Sequence, residues 1–168
     1  MIIRALVMLI GSFILYVLQT GLFSSFALAG VVPDLLLILV VSIGYTRGRT
    51  KAMICGLLCG LYIDCCYSSI MGVFPLFYII IGNLSGFSNK IYDDDDHMTP
   101  LLITAAGEFF YNIMYFVVFY LLKGKTNLSF YIYRVMIPRV VYTVLVSIIL
   151  YRIIQYANLF LLRFDKDE

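Results

Sequence analysis

Cys55, Cys59, Cys65 and Cys66 are the thiols of this sequence, and His97 is its single imidazole. A structural zinc site needs about four such ligands, with cysteines in C-x-x-C spacing. No such spacing occurs here, and Cys55 and Cys59 lie within an apolar run, where thiols act as small hydrophobes. Asp93, Asp94, Asp95 and Asp96 offer carboxylates of the kind hard cations prefer. Four adjacent acids lack the spacing of a calcium loop, however, and a solvated loop is the better reading. Catalytic patterns are missing too: there is no G-x-S-x-G, no H-E-x-x-H and no carboxylate pair with a base. No metal or cofactor is implied.

Three ionisable residues fall inside apolar segments, where charge is costly and each case needs a reason: Asp64, Glu108 and Arg152. Glu108 and Arg152 lie about nine and about ten residues from the same side of a bilayer. At 1.5 Å per residue both are roughly 14–15 Å deep. That match suggests a Glu108–Arg152 ion pair. The alternative is separate satisfaction by Asn112, a tyrosine hydroxyl or water. Asp64 is deep as well, or ends its span if that helix is short. A proton relay would need a second titratable neighbour, and the sequence places none.

These residues are exceptions in a chain of 168 that is 62% hydrophobic and 13% charged, with mean hydropathy +0.98. Soluble domains are nearer about 45–50% apolar and about 25% charged. A chain this short has too little interior to hide the excess, and disorder requires the opposite composition. An integral membrane protein remains. A net charge of +2 without a clustered basic face argues against nucleic acid. The charge-free stretch 5–33 exceeds the core of a cleavable signal.

Charges and prolines divide the chain into about six spans, near 5–27, 33–46, 52–68, 73–89, 100–122 and 139–162. They form one all-α membrane domain, a compact helical bundle. Pro33 suits the first position of a helix, and Asp34 its positive dipole end. The segment 128–138, with Phe130, Tyr131, Tyr133 and Arg134, reads as an amphipathic stretch along the headgroup plane. With both termini cytoplasmic, Arg4, Arg47, Arg49, Lys51, Lys90, Arg163 and Lys166 lie inside and Lys123, Lys125, Arg134 and Arg139 outside. Seven against four satisfies the positive-inside rule. With no tryptophan, the interfacial belts fall to tyrosines such as Tyr16, Tyr45 and Tyr156.

Gly56, Gly60 and Asp64 recur every four residues on one helical face, and Gly82 and Gly86 repeat the spacing on the next span. Small faces let helix backbones approach closely in lipid. They serve either packing of these two spans together or docking of a partner's membrane helix.

In order, Pro33-Asp34-Leu35-Leu36-Leu37, Arg47-Gly48-Arg49, Gly56-x3-Gly60-Leu61-x2-Asp64, Gly72, Tyr78, Gly82 and Gly86 resemble the MreD family of rod-shape-determining proteins. The likeness is strongest over 33–86. Cys65-Cys66, the Asp93–Asp96 run and Glu108 stand outside it. The resemblance implies a noncatalytic scaffold of the bacterial elongation machinery, lodged in the cytoplasmic membrane and binding the single-span protein MreC. MreB, RodA and a penicillin-binding protein would be its neighbours, lateral peptidoglycan synthesis the process it supports, and a homodimer is compatible with it. It implies a fold similar to the substrate-binding subunits of energy-coupling-factor transporters. The motif positions Pro33, Asp34, Arg47, Gly48, Gly56, Gly60, Asp64, Gly72, Gly82 and Gly86 would then serve helix capping, the cytoplasmic turn and close packing. The fold likeness names the alternative function, a vitamin-binding transporter subunit. A lipid-handling membrane enzyme is a third.

Overall fold

The run from Leu35 to Tyr45 has no polar face, so a helix built from it must be enclosed on all sides. In the computed structural model it is enclosed. The structure describes residues 2–22, 30–67, 72–91, 98–121 and 128–164. The helices are α1 (Ile2–Thr20), α2 (Leu35–Arg47), α3 (Arg49–Tyr67), α4 (Val73–Phe87), α5 (Met98–Tyr115) and α6 (Ile137–Phe164). Helix α2 is the central post. Every residue from Leu35 to Tyr45 is buried, and α1, α3, α4, α5 and α6 all pack against it.

The closest pairing is α3 with α4. A Cβ on Gly56 would lie 2.5 Å from the Tyr78 carbonyl oxygen, and one on Gly82 would lie 2.7 Å from that of Ala52. Gly60 meets the backbone of Pro75 and Gly86 that of Arg49. Read in order, these contacts form an antiparallel seam in which glycine on one helix faces backbone on the other. Gly44 of α2 lies as close to α4, where an added Cβ would meet the Ser85 side chain first and then the Gly86 backbone nitrogen.

Turns are fixed by local chemistry. Gly48 and Gly72 adopt positive φ, +86° and +95°, which a side chain would resist. Gly48 joins α2 to α3, and Gly72 caps α4. Asn89 donates to the Tyr45 carbonyl at 2.7 Å, and Arg49 Nε donates to Asn83 Oδ1 at 2.8 Å, so the basic turn and the 3-10 turn after α4 (Ser88–Ile91) share one end of the bundle.

Several boundaries differ from expectation. Pro33 is not the first helical residue. Asp34 holds an extended backbone as the cap (φ −91°, ψ 88°), which leaves Pro33 outside the helix. The segment 128–138 is continuous with the last helix. A turn at Leu128–Tyr131 passes through a π-helical stretch, Ile132–Met136, straight into α6. Burial of Tyr131 and Met136 against Phe116 holds it there. A matching π-helical stretch, Phe116–Leu121, extends α5. The runs Met98–Tyr120 and Ser129–Ala157 are long and apolar enough to cross a membrane, and Val7–Thr20 and Leu35–Arg47 are shorter apolar helices. The Asp93–Asp96 loop and His97 lie outside the described residues.

Candidate functional site

Asp34 starts from a capping role. Its Oδ1 accepts from Leu37 N–H at 3.0 Å, which satisfies one of the free donors at the start of α2. Its backbone N–H donates to Thr143 Oγ1 of α6 at 3.2 Å. Tyr78 of α4 donates its hydroxyl to the same carboxylate, 2.8 Å from Oδ1 and 2.6 Å from Oδ2. Arg139 near the start of α6 completes the set, with Nη2 3.2 Å from Asp34 Oδ2.

Arg139 also reaches α5. Its Nε lies 2.8 Å from Glu108 Oε1, an ion-pair contact made off the N–H axis. Its guanidinium sits 4.9 Å from the centre of the Tyr111 ring, a cation–π contact that strengthens away from water. Asn112 donates to Glu108 Oε1 at 3.1 Å, and Tyr131 donates to Asn112 Oδ1 at 3.3 Å. The side chains of Asp34 and Glu108 are 0% exposed and that of Arg139 is 18% exposed. Glu108 Oε2 is buried without a hydrogen-bond partner. One arginine thus ties two carboxylates, and with Tyr78 and Asn112 the network joins α2, α4, α5 and α6.

The expected Glu108–Arg152 pair does not form. Glu108 takes Arg139 instead, with Asn112 as its neutral partner, while Arg152 stands exposed on α6. Depth alone misled, because Arg139 reaches down from the start of α6 while Arg152 projects from another face of it. Asp64 lies near the end of α3, where Oδ2 accepts from Gly72 N–H and Oδ1 is buried without a partner. It braces the α3–α4 turn and is not connected to the Arg139 cluster. Arg47 ends α2 at the basic turn. The expectations for Gly56, Gly60, Gly82 and Gly86 left two uses open; the structure places all four inside the α3–α4 seam.

Arg139 is the residue the sequence reading missed as a site, having counted it as a surface charge outside the membrane. A signal was available. Asp34 and Arg139 stand at the starts of two expected spans that the charge pattern puts at the same end, so a short reach could join them.

Chemically, this arrangement clamps helices together through charge. Asp34, Tyr78 and Arg139 each bond across to another helix, Asn112 bonds Glu108 within α5, and Glu108 Oε2 is the one carboxylate oxygen of the set left unpaired. Among the described residues no three or more of His, Cys, Asp and Glu converge to hold a metal. Cys55 and Cys59 are buried free thiols with Sγ atoms 3.9 Å apart, and Cys65 and Cys66 are exposed.

Among the described residues the chain is thus a helical bundle with an enclosed apolar post and an internal ionic clamp. The family model for rod shape-determining protein MreD matches residues 1–160, and the chain belongs to that family. Its role is accordingly in the determination of rod shape. No curated protein and no solved structure matches the chain.

Proposed function

We propose that this protein is a noncatalytic, multi-pass scaffold of the bacterial cell-elongation machinery, set in the cytoplasmic membrane with both termini inside. It binds MreC there and supports lateral peptidoglycan synthesis alongside MreB, RodA and a penicillin-binding protein. The observation that carries this reading is the match to the rod shape-determining family over 1–160. The polar groups support it. Asp34, Tyr78, Glu108, Asn112 and Arg139 bond one another across helices, as a body that must hold its shape requires. Exposed apolar residues along α6, among them Val141, Leu145, Ile148 and Ile149, form a face that lipid or a partner's helix would cover.

Affinity purification of the full chain from native membranes, with mass spectrometry of what accompanies it, tests the proposal. Stoichiometric MreC and loss of rod shape on depletion are expected. A bound vitamin in place of MreC would overturn the scaffold reading and favour a transporter subunit.

A further inference from the structure

At the end of the bundle where α1 finishes and α2 and α6 begin, an open cavity of about 440 Å³ separates the helices. That volume lies within the range of small-ligand sites, roughly 300–1,000 Å³. Its walls are Gln19, the chain at Gly30, Val31 and Val32, and Arg134, Val135 and Arg139. Among the described residues the lining holds two guanidinium groups and one carboxamide, and no carboxylate.

Each polar wall group is set to donate. Gln19 Oε1 accepts from Leu36 N–H at 3.2 Å, so its acceptor is used and its NH2 group is the remaining function. Arg139 is fixed from behind by Asp34 and Glu108, both 0% exposed, so its orientation is built before any ligand arrives. Arg134 is exposed and makes no ion pair among the described residues. Arginine's planar fork matches the oxygens of a phosphate group. Leu22, Tyr133, Ile137 and Val141, each within three residues of a lining residue in the chain, are exposed hydrophobic side chains. Guanidinium groups in a pocket beside exposed apolar side chains can pair with a headgroup phosphate while the acyl chains lie against that apolar surface.

We propose that this cavity binds a singly charged phosphate group, with Arg134 supplying the charge that Arg139, already shared between two carboxylates, does not. The phosphodiester of an anionic phospholipid, which has no headgroup cation to compete with the arginines as phosphatidylcholine has, and the monobasic form of free inorganic phosphate both carry this chemistry. The inference does not depend on the scaffold reading.

The test uses the full chain in nanodiscs of phosphatidylcholine containing a minor fraction of phosphatidylglycerol, with bound lipid counted by native mass spectrometry. Wild-type protein retains phosphatidylglycerol above its share of the disc. Arg134→Gln weakens retention about tenfold or more, as loss of a charge-assisted hydrogen bond predicts, and Arg134→Lys restores part of it. Arg152→Gln, which removes an equal charge away from the cavity, leaves retention unchanged. Displacement by millimolar inorganic phosphate assigns the site to the free anion; resistance to it assigns the site to the lipid. Equal loss in the Arg134 and Arg152 variants, wild-type retention by Arg134→Gln, or no preference for phosphatidylglycerol would each overturn the proposal.

Discussion

Arg139 is the residue on which the interior turns. Removing one partner of a buried ionic set costs about 3–5 kcal/mol, because the charges left behind are neither solvated nor paired. Arg139→Leu strands Asp34 and Glu108 together. It should therefore lower the thermal midpoint in detergent sharply or prevent folding, whereas Arg152→Gln on the exposed face should stay within about 0.5 kcal/mol of wild type. Replacing the whole set, Asp34→Asn with Glu108→Gln and Arg139→Leu, should recover part of that loss, since no uncompensated charge remains. A triple variant less stable than Arg139→Leu alone would show that the ionic form itself is required. Tyr78→Phe removes a hydroxyl donor but leaves the ion pair, so about 1–3 kcal/mol is expected for it, smaller than the effect at Arg139. Asp34 announced itself in the sequence through its place beside Pro33. Its partners did not, because Tyr78 is 44 residues away and Arg139 is 105 away. Only packing of α2 against α4 and α6 brings them together.

The two kinds of helical glycine in this fold predict opposite outcomes for the same substitution. In isolation, alanine for glycine within a helix gains about 0.5–1 kcal/mol. Gly11 of α1 has nothing within 4 Å of an added Cβ, so Gly11→Ala should realise that gain. Gly60 faces the backbone of Pro75, and backbone cannot swing aside as a side chain can. Overpacking there costs about 1–3 kcal/mol or more, so Gly60→Ala should be destabilising and Gly60→Leu severely so, with loss of rod shape in cells that carry only that variant. Thermal unfolding of the purified alanine variants decides it, and a stabilised Gly60→Ala would remove the case for the seam. The four-residue glycine spacing was readable in the sequence because period and small size are local properties. Its use was not, since an intramolecular neighbour and a partner's helix ask for the same face. The helices themselves were largely readable from hydropathy, while the path through 128–138 was not. Its aromatics suit an interface, and the contact of Tyr131 with Phe116, ring centroids 5.1 Å apart, turns that ring inward while Phe130 and Tyr133 stay exposed.

Taken whole, the bundle makes a sharper prediction about orientation than charge counting does. The turn at Gly48 lies against Asn89, with an added Cβ 3.5 Å from its Oδ1, so the α2–α3 and α4–α5 connections share one end. Val7, Arg47 and Ala157 line one apolar groove, which brings the start of α1 and the late turns of α6 to that same end. Gln19, Gly30 and Arg134 mark the opposite end. Basic residues far from the interior orient a membrane protein, whereas an arginine neutralised within the bundle has little free charge to contribute. Arg139 should then leave the outside tally of four, which becomes three, against seven on the side of Arg47, Arg49 and Lys51. A fluorescent reporter fused after Glu168 should accordingly be active in the cytoplasm, and alkaline phosphatase inserted within 122–127 should be active outside it. Arg139→Leu should leave this orientation unchanged even where it destabilises the fold, because its charge lies in the clamp and not in the topogenic set. Moving positive charge should behave differently: neutralising Arg47, Arg49 and Lys51 together removes three of the seven and should yield a mixed population of reporters. A uniform orientation after that triple change, or an inverted one after Arg139→Leu, would show that the clamp rather than the basic turn sets how the bundle enters the membrane.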